Sequence, residues 1–169
     1  MILSLITFGI LRLNKTHKLL IIIFFAGDMI ETIIGSEFPK KVIPLIDNAV
    51  GSIDVVVFDW RWYPQNPGSP VQLFNQAIAR AIKRGVVVRA IANTPQIVSI
   101  LNSIGARAKK LTTPHLVHAK IMIIDDQFLI IGSHNYTETA FLMNFEVSVI
   151  IEDEKAIKRV KEFFNNLYG

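Results

Sequence analysis

The sequence from His118 to Asn135 reads HAKIMIIDDQFLIIGSHN and sets polar residues around two apolar runs. His118 and Lys120 are two residues apart, so on a strand their side chains project from the same face. Asp125 points from the opposite face if that strand continues to it. A turn at residues 125–127 then returns the chain toward Gly132, Ser133 and Asn135, close to the start of the first strand. Polar groups between buried strands are costly unless they are hydrogen-bonded or functional.

The rest of the chain alternates strand and helix patterns before this stretch and adds a strand and a helix after it. We predict strands at Glu31–Gly35, Ile53–Trp60, Val86–Ile91, Val117–Ile124, Phe128–Ile131 and Asn144–Ile151. We predict helices at Phe38–Val50, Val71–Arg84, Gln96–Ile104 and Glu152–Tyr168. The proline-rich segment Tyr63–Pro70 predicts a loop. Alternating elements followed by a run of strands indicate one α/β domain with a mixed sheet flanked by helices.

Composition limits the chemistry that this chain can use. Hydrophobic residues make up 51% of the 169 residues, which is enough for the core of one domain. The sequence has no cysteine, which excludes disulfides, thiol nucleophiles and zinc sites built on cysteine. Eighteen Lys and Arg residues against fourteen Asp and Glu give a formal charge of +4. This balance favours a polyanionic partner, although it is also common among ordinary soluble domains.

Six residues match every specified position of the pattern H-x-K-x4-D-x6-G-S-x-N: His118, Lys120, Asp125, Gly132, Ser133 and Asn135. This pattern is the signature of the phospholipase D superfamily. From about residue 30 to the C-terminus, the order of elements resembles the small single-motif endonucleases of that superfamily. The resemblance implies a phospholipase D-like fold and phosphodiester hydrolysis. In those enzymes an acidic residue follows on the next strand, and Glu146 in NFEVSVII is the matching position.

The resemblance also implies a role for each residue type. His118 attacks phosphorus and forms a covalent phosphohistidine. Lys120 places a positive charge on the non-bridging oxygens, to which Ser133 and Asn135 donate hydrogen bonds. Glu146 holds the imidazole through its other ring nitrogen, as the acid of a catalytic triad does. Asp125 belongs to the catalytic motif, but because it faces away we expect it to brace the motif. Lysine and histidine supply the positive charge, so we expect neither a metal nor another cofactor.

One motif supplies one histidine, whereas leaving-group protonation and breakdown of the intermediate require a second. The sequence contains no other H-x-K. A two-fold homodimer in which the two motifs face each other would supply the second His118. We therefore predict that this chain is one half of an active site that dimerisation completes.

Three further residues are candidates for substrate contact. Trp60 and Arg61 end a predicted strand and are suited to stacking on bases or binding phosphate. The alternative is that Trp60 packs in the core and Arg61 is solvated. His134 occupies the variable position of G-S-x-N, and we predict that it lies at the rim of the site.

Residues 1–27 differ from the remainder of the chain. Met1–Leu11 is almost wholly apolar and Leu19–Gly27 is entirely so, with a basic cluster between them. Neither run reaches the ~20 residues of a membrane-spanning helix. Two interpretations stay open: an anchor or export signal, or a hairpin of two buried strands. We therefore separate residues 1–27 from a catalytic domain at 28–169, and localisation follows as membrane-associated or exported in the first case and cytoplasmic in the second.

These observations lead to three functional hypotheses. The first is a metal-independent nuclease that cleaves DNA or RNA. The second is a membrane-associated phospholipase or cardiolipin hydrolase, which the apolar N-terminal runs suggest. The third is a catalytically silent nucleic-acid-binding dimer, and the intact set of motif residues counts against it.

Overall fold

A computed structural model describes residues 29–169 of the chain. The predictions made for residues 1–27, a membrane anchor, an export signal or extra strands, lie outside the described residues. They stay predictions.

The described residues form a mixed seven-stranded sheet with helices on both faces, so the predicted fold class is confirmed. The strands are β1 Ile30–Ile34, β2 Ser52–Val57, β3 Val87–Ala92, β4 Arg107–Lys109, β5 Lys120–Ile124, β6 Phe128–Gly132 and β7 Val147–Ile151. Their order in the sheet is β1-β7-β6-β5-β2-β3-β4. Strands β2, β3 and β4 run parallel to one another, and every other neighbouring pair is antiparallel. The helices are α1 Phe38–Asn48, α2 Pro70–Lys83, α3 Pro95–Ser103, α4 Glu138–Leu142 and α5 Glu154–Tyr168.

The central strands are buried on both faces, which is why they read as continuous apolar runs. Val55 and Val57 of β2 pack into the larger core, which also contains residues of α1, α2, α3 and α4. Val56 between them points to the smaller core on the other face, against which α5 packs with Phe164. Period-two alternation therefore divides one apolar strand between two cores.

Helix ends follow the local chemistry of the sequence. Helix α2 begins after Ser69, whose Oγ accepts the backbone N–H of Gln72 at 3.1 Å, and Pro70 takes the first helical position. Helix α5 begins after Asp153, whose carboxylate accepts the N–H of Ala156 at 2.6 Å. Each cap satisfies a backbone donor that the first turn of a helix leaves unpaired.

Three short elements were not predicted, a 3-10 helix at Gly35–Glu37, β4 and α4, and two predicted strands begin three residues later than expected. Strand β4 has three residues and lies at the sheet edge, and α4 has five residues, so neither produces a clear periodic pattern. The predicted strand at 117–124 begins only at Lys120, because the Val117 carbonyl accepts the side-chain amide of Asn93 at 3.0 Å instead of pairing with a strand. The predicted strand at 144–151 begins only at Val147.

The hairpin of β5 and β6 positions the motif. Its turn places Asp125 and Asp126 at φ of 54° and 53°, a left-handed conformation that aspartate tolerates better than most residues. The two strands then pair from Ile124–Phe128 back to Ile121–Ile131. This register returns the end of β6 to the start of β5, where the polar residues of the motif meet.

Candidate active site

Five of the predicted site residues line one open cleft of about 570 Å³: His118, Lys120, Ser133, Asn135 and Glu146. The cleft lies where β5 and β7 begin and β6 ends. Gly132 at the end of β6 also lines it, and a Cβ on this residue would clash with Ser148 and with the Val147 carbonyl. The motif glycine therefore permits the close approach of β6 and β7 beside the cleft.

His118 lies in the loop just before β5, and its side chain is exposed to solvent. Its ring packs against Phe58, with ring centroids 4.9 Å apart and planes inclined by 50°. The Nζ of Lys120 lies 3.0 Å from Nε2 and 3.1 Å from Nδ1 of the same imidazole. An exposed imidazole held between an aromatic ring and an ammonium group is accessible to an electrophile and limited in its rotation.

Lys120 is buried beside this exposed histidine. Its Nζ donates a hydrogen bond to the His118 carbonyl at 2.8 Å and lies 5.4 Å from the centre of the Phe58 ring. Burial lowers the pKa of Lys120 below its ordinary value, while the negative charge of Glu146 acts in the opposite direction. A partly desolvated ammonium interacts more strongly with an anion than a solvated one.

Ser133 and Glu146 contact each other across the ends of β6 and β7. The Ser133 hydroxyl donates to one carboxylate oxygen of Glu146 and accepts the backbone N–H of Val147 at 3.1 Å. The other carboxylate oxygen accepts the side-chain amide of Asn144 at 3.0 Å. No hydrogen bond joins Glu146 to His118 within residues 29–169 of one chain, so the expected support of that imidazole by Glu146 stays a prediction. Ser133 just after β6 and Asn144 just before β7 bind the carboxylate instead.

The segment that follows β2 orients the side chain of Asn135. Its Oδ1 accepts the backbone N–H of Asp59 at 3.1 Å. Because the carbonyl end of this amide is engaged, its NH₂ end is the part that can donate to a ligand in the cleft.

Asp125 does not line the cleft, because β5 separates it from His118. Its carboxylate accepts three backbone N–H groups, from Val50 at 2.9 Å, Gly51 at 2.7 Å and Ser52 at 2.8 Å. Burial alone would raise the pKa of Asp125, but these three donors outweigh it and leave the pKa below its ordinary value. The motif aspartate joins the β5–β6 turn to the start of β2. This agrees with the expected bracing role and removes Asp125 from the groups that meet substrate.

Two predicted substrate contacts are wrong. His134 is 1% exposed, with Nδ1 2.7 Å from Ser148 Oγ and Nε2 3.0 Å from the Gly35 carbonyl, and burial lowers its pKa. Trp60 is buried in the core and donates from Nε1 to Asn75 at 2.8 Å. His134 thus points into the protein between Ser133 and Asn135, which line the cleft. Arg61 is exposed and forms an ion pair with Asp59 at 2.8 Å, and its contact with substrate stays a prediction.

The sequence between residues 42 and 168 matches the family described as "Cardiolipin synthase, PLD-like domain". The chain belongs to this phospholipase D-like family. Members of the wider superfamily are phosphodiester hydrolases and transferases.

Known relatives and structures agree with this assignment. Human mitochondrial cardiolipin hydrolase is 29% identical over 140 residues, which are 79% of this chain and 52% of that protein. The phospholipase D-like chain thus spans about half the length of this relative. Among solved structures, NucT from Helicobacter pylori has a TM-score of 0.69 at 19% identity, over 83% of this chain and 96% of the other. Nuc, a phospholipase D family member from Salmonella typhimurium, has a TM-score of 0.68 at 21% identity, over 83% and 95%. These two likenesses show the fold.

Three residues of this phospholipase D-like site were missed by sequence reasoning: Phe58, Asn93 and Asn144. Asn93 follows β3 and donates from one amide group to the carbonyls of Phe58 and Val117, both at 3.0 Å. It thereby connects the backbone of Phe58, whose ring packs against His118, to the loop that carries His118. Its position was a usable signal, since polar residues at the carboxyl ends of parallel strands commonly serve a site.

None of the helices within residues 29–169 is long and apolar enough to cross a membrane. Residues 29–169 contain no group of three or more His, Asp or Glu side chains placed to hold a metal ion.

Proposed function

We propose that this chain is a metal-independent phosphodiesterase that cleaves nucleic acid through a phosphohistidine intermediate. The observation that carries the proposal is the pairing of His118 with Lys120: an exposed imidazole lies 3.0 Å from a buried ammonium in an open cleft. Such a pair combines a nucleophile with a charge that stabilises the anionic oxygens of the substrate. We further propose that residues 28–169 form the catalytic domain.

The proposed reaction has two displacements at phosphorus. In the first, a ring nitrogen of neutral His118 forms a bond to phosphorus while the bond to the leaving oxygen breaks and that oxygen takes a proton. In the second, water attacks phosphorus, loses a proton to a base, and releases His118. Lys120 and the free NH₂ of Asn135 stabilise the non-bridging oxygens in both steps. Glu146 orients Ser133 toward the same cleft.

A second copy of the chain is part of this proposal. The proton donor of the first step and the base of the second call for another histidine, and only His118 among the histidines of residues 29–169 lines the cleft. The surface next to the cleft supports a partner there, because Phe145 is fully exposed between Asn144 and the cleft residue Glu146. Met143 and Val147 beside it are also largely exposed. A solvated aromatic side chain within such an apolar patch is typical of an interface anchor.

Charge and shape favour nucleic acid as the substrate. The formal charge is +4 for one chain, and the cleft is an open groove without an enclosing lid among the described residues. Arg61 is exposed and pairs with Asp59, whose backbone N–H donates to Asn135 of the cleft. Arg61 is thus linked through Asp59 to Asn135, a proposed ligand of the phosphate. From there its guanidinium can bind a neighbouring phosphate of a polymer.

A phospholipid is the second candidate substrate. The human relative with 29% identity is named a mitochondrial cardiolipin hydrolase. The exposed apolar side chains of Met143 and Phe145 beside the cleft suit a lipid surface as well as a protein partner. If lipid is the substrate, residues 1–27 gain a role as a membrane anchor.

One experiment separates these functions. The full chain is incubated in excess EDTA with labelled single-stranded DNA or RNA and, in parallel, with cardiolipin vesicles. We expect oligonucleotide cleavage that His118→Ala abolishes and that Lys83→Ala, which removes an exposed lysine at the end of α2, leaves unchanged. A strict requirement for divalent metal contradicts the mechanism. Turnover of cardiolipin alone favours the lipase, and tight oligonucleotide binding without turnover of either substrate favours a silent binding protein.

A further inference from the structure

A second cavity of about 410 Å³ adjoins the catalytic cleft. His118 and Ala119 line both cavities, so a group bound in the second lies directly beside the proposed nucleophile. Its walls are mostly apolar and are contributed by Leu111, Leu116, Val117, Phe163 and Leu167. The reaction proposed above makes no use of this cavity.

The apolar side chains at this cavity are incompletely buried. Leu116 is 70% exposed and Phe163 is 46% exposed. Leu116 belongs to the loop before β5, whereas Phe163 belongs to α5, so two separate parts of the chain present apolar surface to the same space. Apolar surface that is left open around a concavity is typical of a ligand site.

Both walls of the cavity are held in place by polar contacts. On the loop side, Asn93 donates to the Val117 carbonyl at 3.0 Å. On the helix side, Lys161 pairs with the fully buried Asp54 at 2.7 Å, and the Tyr168 hydroxyl donates to the Arg107 carbonyl at 2.7 Å. The cavity is therefore formed before a ligand binds, which reduces the entropy cost of binding.

We infer that this cavity holds the nucleobase next to the scissile phosphate; the inference rests on the nuclease function proposed above. The base of the nucleotide at His118 is joined to the phosphate through one sugar and has two flat apolar faces, and the aromatic residue Phe163 lines the cavity beside His118. Thr113 and His115 also line the cavity and supply donors and acceptors for the polar edge of a base. An acyl chain could form no hydrogen bond with Thr113 or His115, both of which are exposed and would stay solvated beside it.

The test compares a single-stranded oligonucleotide with the same backbone carrying abasic residues. We expect the full chain to cleave the base-bearing strand with a kcat/KM roughly tenfold higher, as the loss of one stacked base predicts. Phe163→Ala and Leu116→Ser are each expected to remove most of this preference, mainly through KM. Leu73→Ser is the matched control, since Leu73 is 43% exposed on α2 and lines a different cavity.

A binding measurement keeps the base pocket separate from the chemistry. The His118→Ala protein is titrated with both fluorescent strands, and we expect it to bind the base-bearing strand more tightly unless Phe163 is also replaced. Equal affinity and equal kcat/KM for the two strands overturn the base pocket while leaving the nuclease intact. A binding preference without any cleavage by the wild-type chain supports the pocket and contradicts the proposed function. An effect of Phe163→Ala on cardiolipin vesicles alone would identify a lipid pocket and overturn the inference.

Discussion

The Nζ of Lys120 lies 3.0 Å from His118 Nε2 and 2.8 Å from the His118 carbonyl oxygen. The lysine is thus fixed by the backbone of the residue whose ring it adjoins. Because each group limits the position of the other, we expect their contributions to catalysis to be strongly non-additive. The pH at which activity is lost on the alkaline side therefore tests the pair of His118 and Lys120.

The pH dependence of Lys120 is the first prediction. Burial lowers its pKa, so the ammonium loses its proton at a lower pH than an ordinary lysine with a pKa of about 10.4. Activity that depends on the charged form is present below the folded pKa and is lost as the pH rises through it. Lys120→Arg is expected to extend kcat/KM to higher pH, even if its maximum falls, because a guanidinium stays charged. Lys83→Arg serves as the control, and an unchanged alkaline limb in Lys120→Arg would contradict the assignment.

The second prediction concerns the number of His118 side chains in one site. Subunits with two different tags are co-expressed, and the heterodimer of wild-type and His118→Ala chains is purified through both tags. We expect its activity to be close to that of the His118→Ala homodimer, since one site needs both histidines. If each subunit carried an independent site, the heterodimer would instead retain about half of the wild-type activity. A heterodimer of wild-type and Lys83→Ala chains controls for the tags.

The third prediction tests the surface that meets the partner. Phe145→Glu places a charge on a fully exposed aromatic position next to Glu146. We expect it to give a folded monomer with little activity, because charge at the centre of an apolar interface opposes association. Light scattering measures the molar mass, and thermal unfolding checks the fold. Leu73→Glu, at an exposed leucine of α2, should leave the mass unchanged. A Phe145→Glu protein that remains dimeric places the interface elsewhere.

The fourth prediction assigns Asp125 to stability. Asp125→Asn weakens the acceptor of three backbone N–H groups, so we expect the free energy of unfolding at pH 7 to fall by about 1.5–3 kcal/mol. The pKa of Asp125 is lowered in the fold, so its contribution is present above the ordinary pKa and is lost as the pH falls through the folded pKa. Urea unfolding at several pH values should show the two proteins converging in acid.

Asp126 is the matched control for this comparison, since it occupies the same turn and its exposed carboxylate pairs with Lys161 at 2.6 Å. Asp126→Asn should cost less than about 1 kcal/mol. If both variants lost the same free energy of unfolding, the turn itself would be sensitive to either substitution. The three backbone hydrogen bonds to Asp125 would then not be the cause of its effect.

Strand periodicity explains which parts of the site were predictable. His118, Lys120, Ser133 and Asn135 meet in one cleft because the hairpin returns the end of β6 to the start of β5. The same periodicity did not identify His134 and Trp60 as buried, since each lies in an irregular segment where alternation no longer applies. Likewise, nothing local to Glu146 indicates that Ser133, which is distant in the sequence, binds its carboxylate.

The sequence alone determined the fold class and the residue types of the site, because both follow from local spacing: apolar runs define the strands, and the motif spacing fits one hairpin. Tertiary structure decided what each polar group contacts. Asp125 binds the backbone at the start of β2 because β2 begins beside the β5–β6 turn. Asn93 contacts the loop of His118 because β3 ends near that loop. Helix α5 contributes Phe163 to the wall of the second cavity. Those contacts connect residues 24 to 74 positions apart in the chain, and pairing at such separations depends on how the sheet and helices pack.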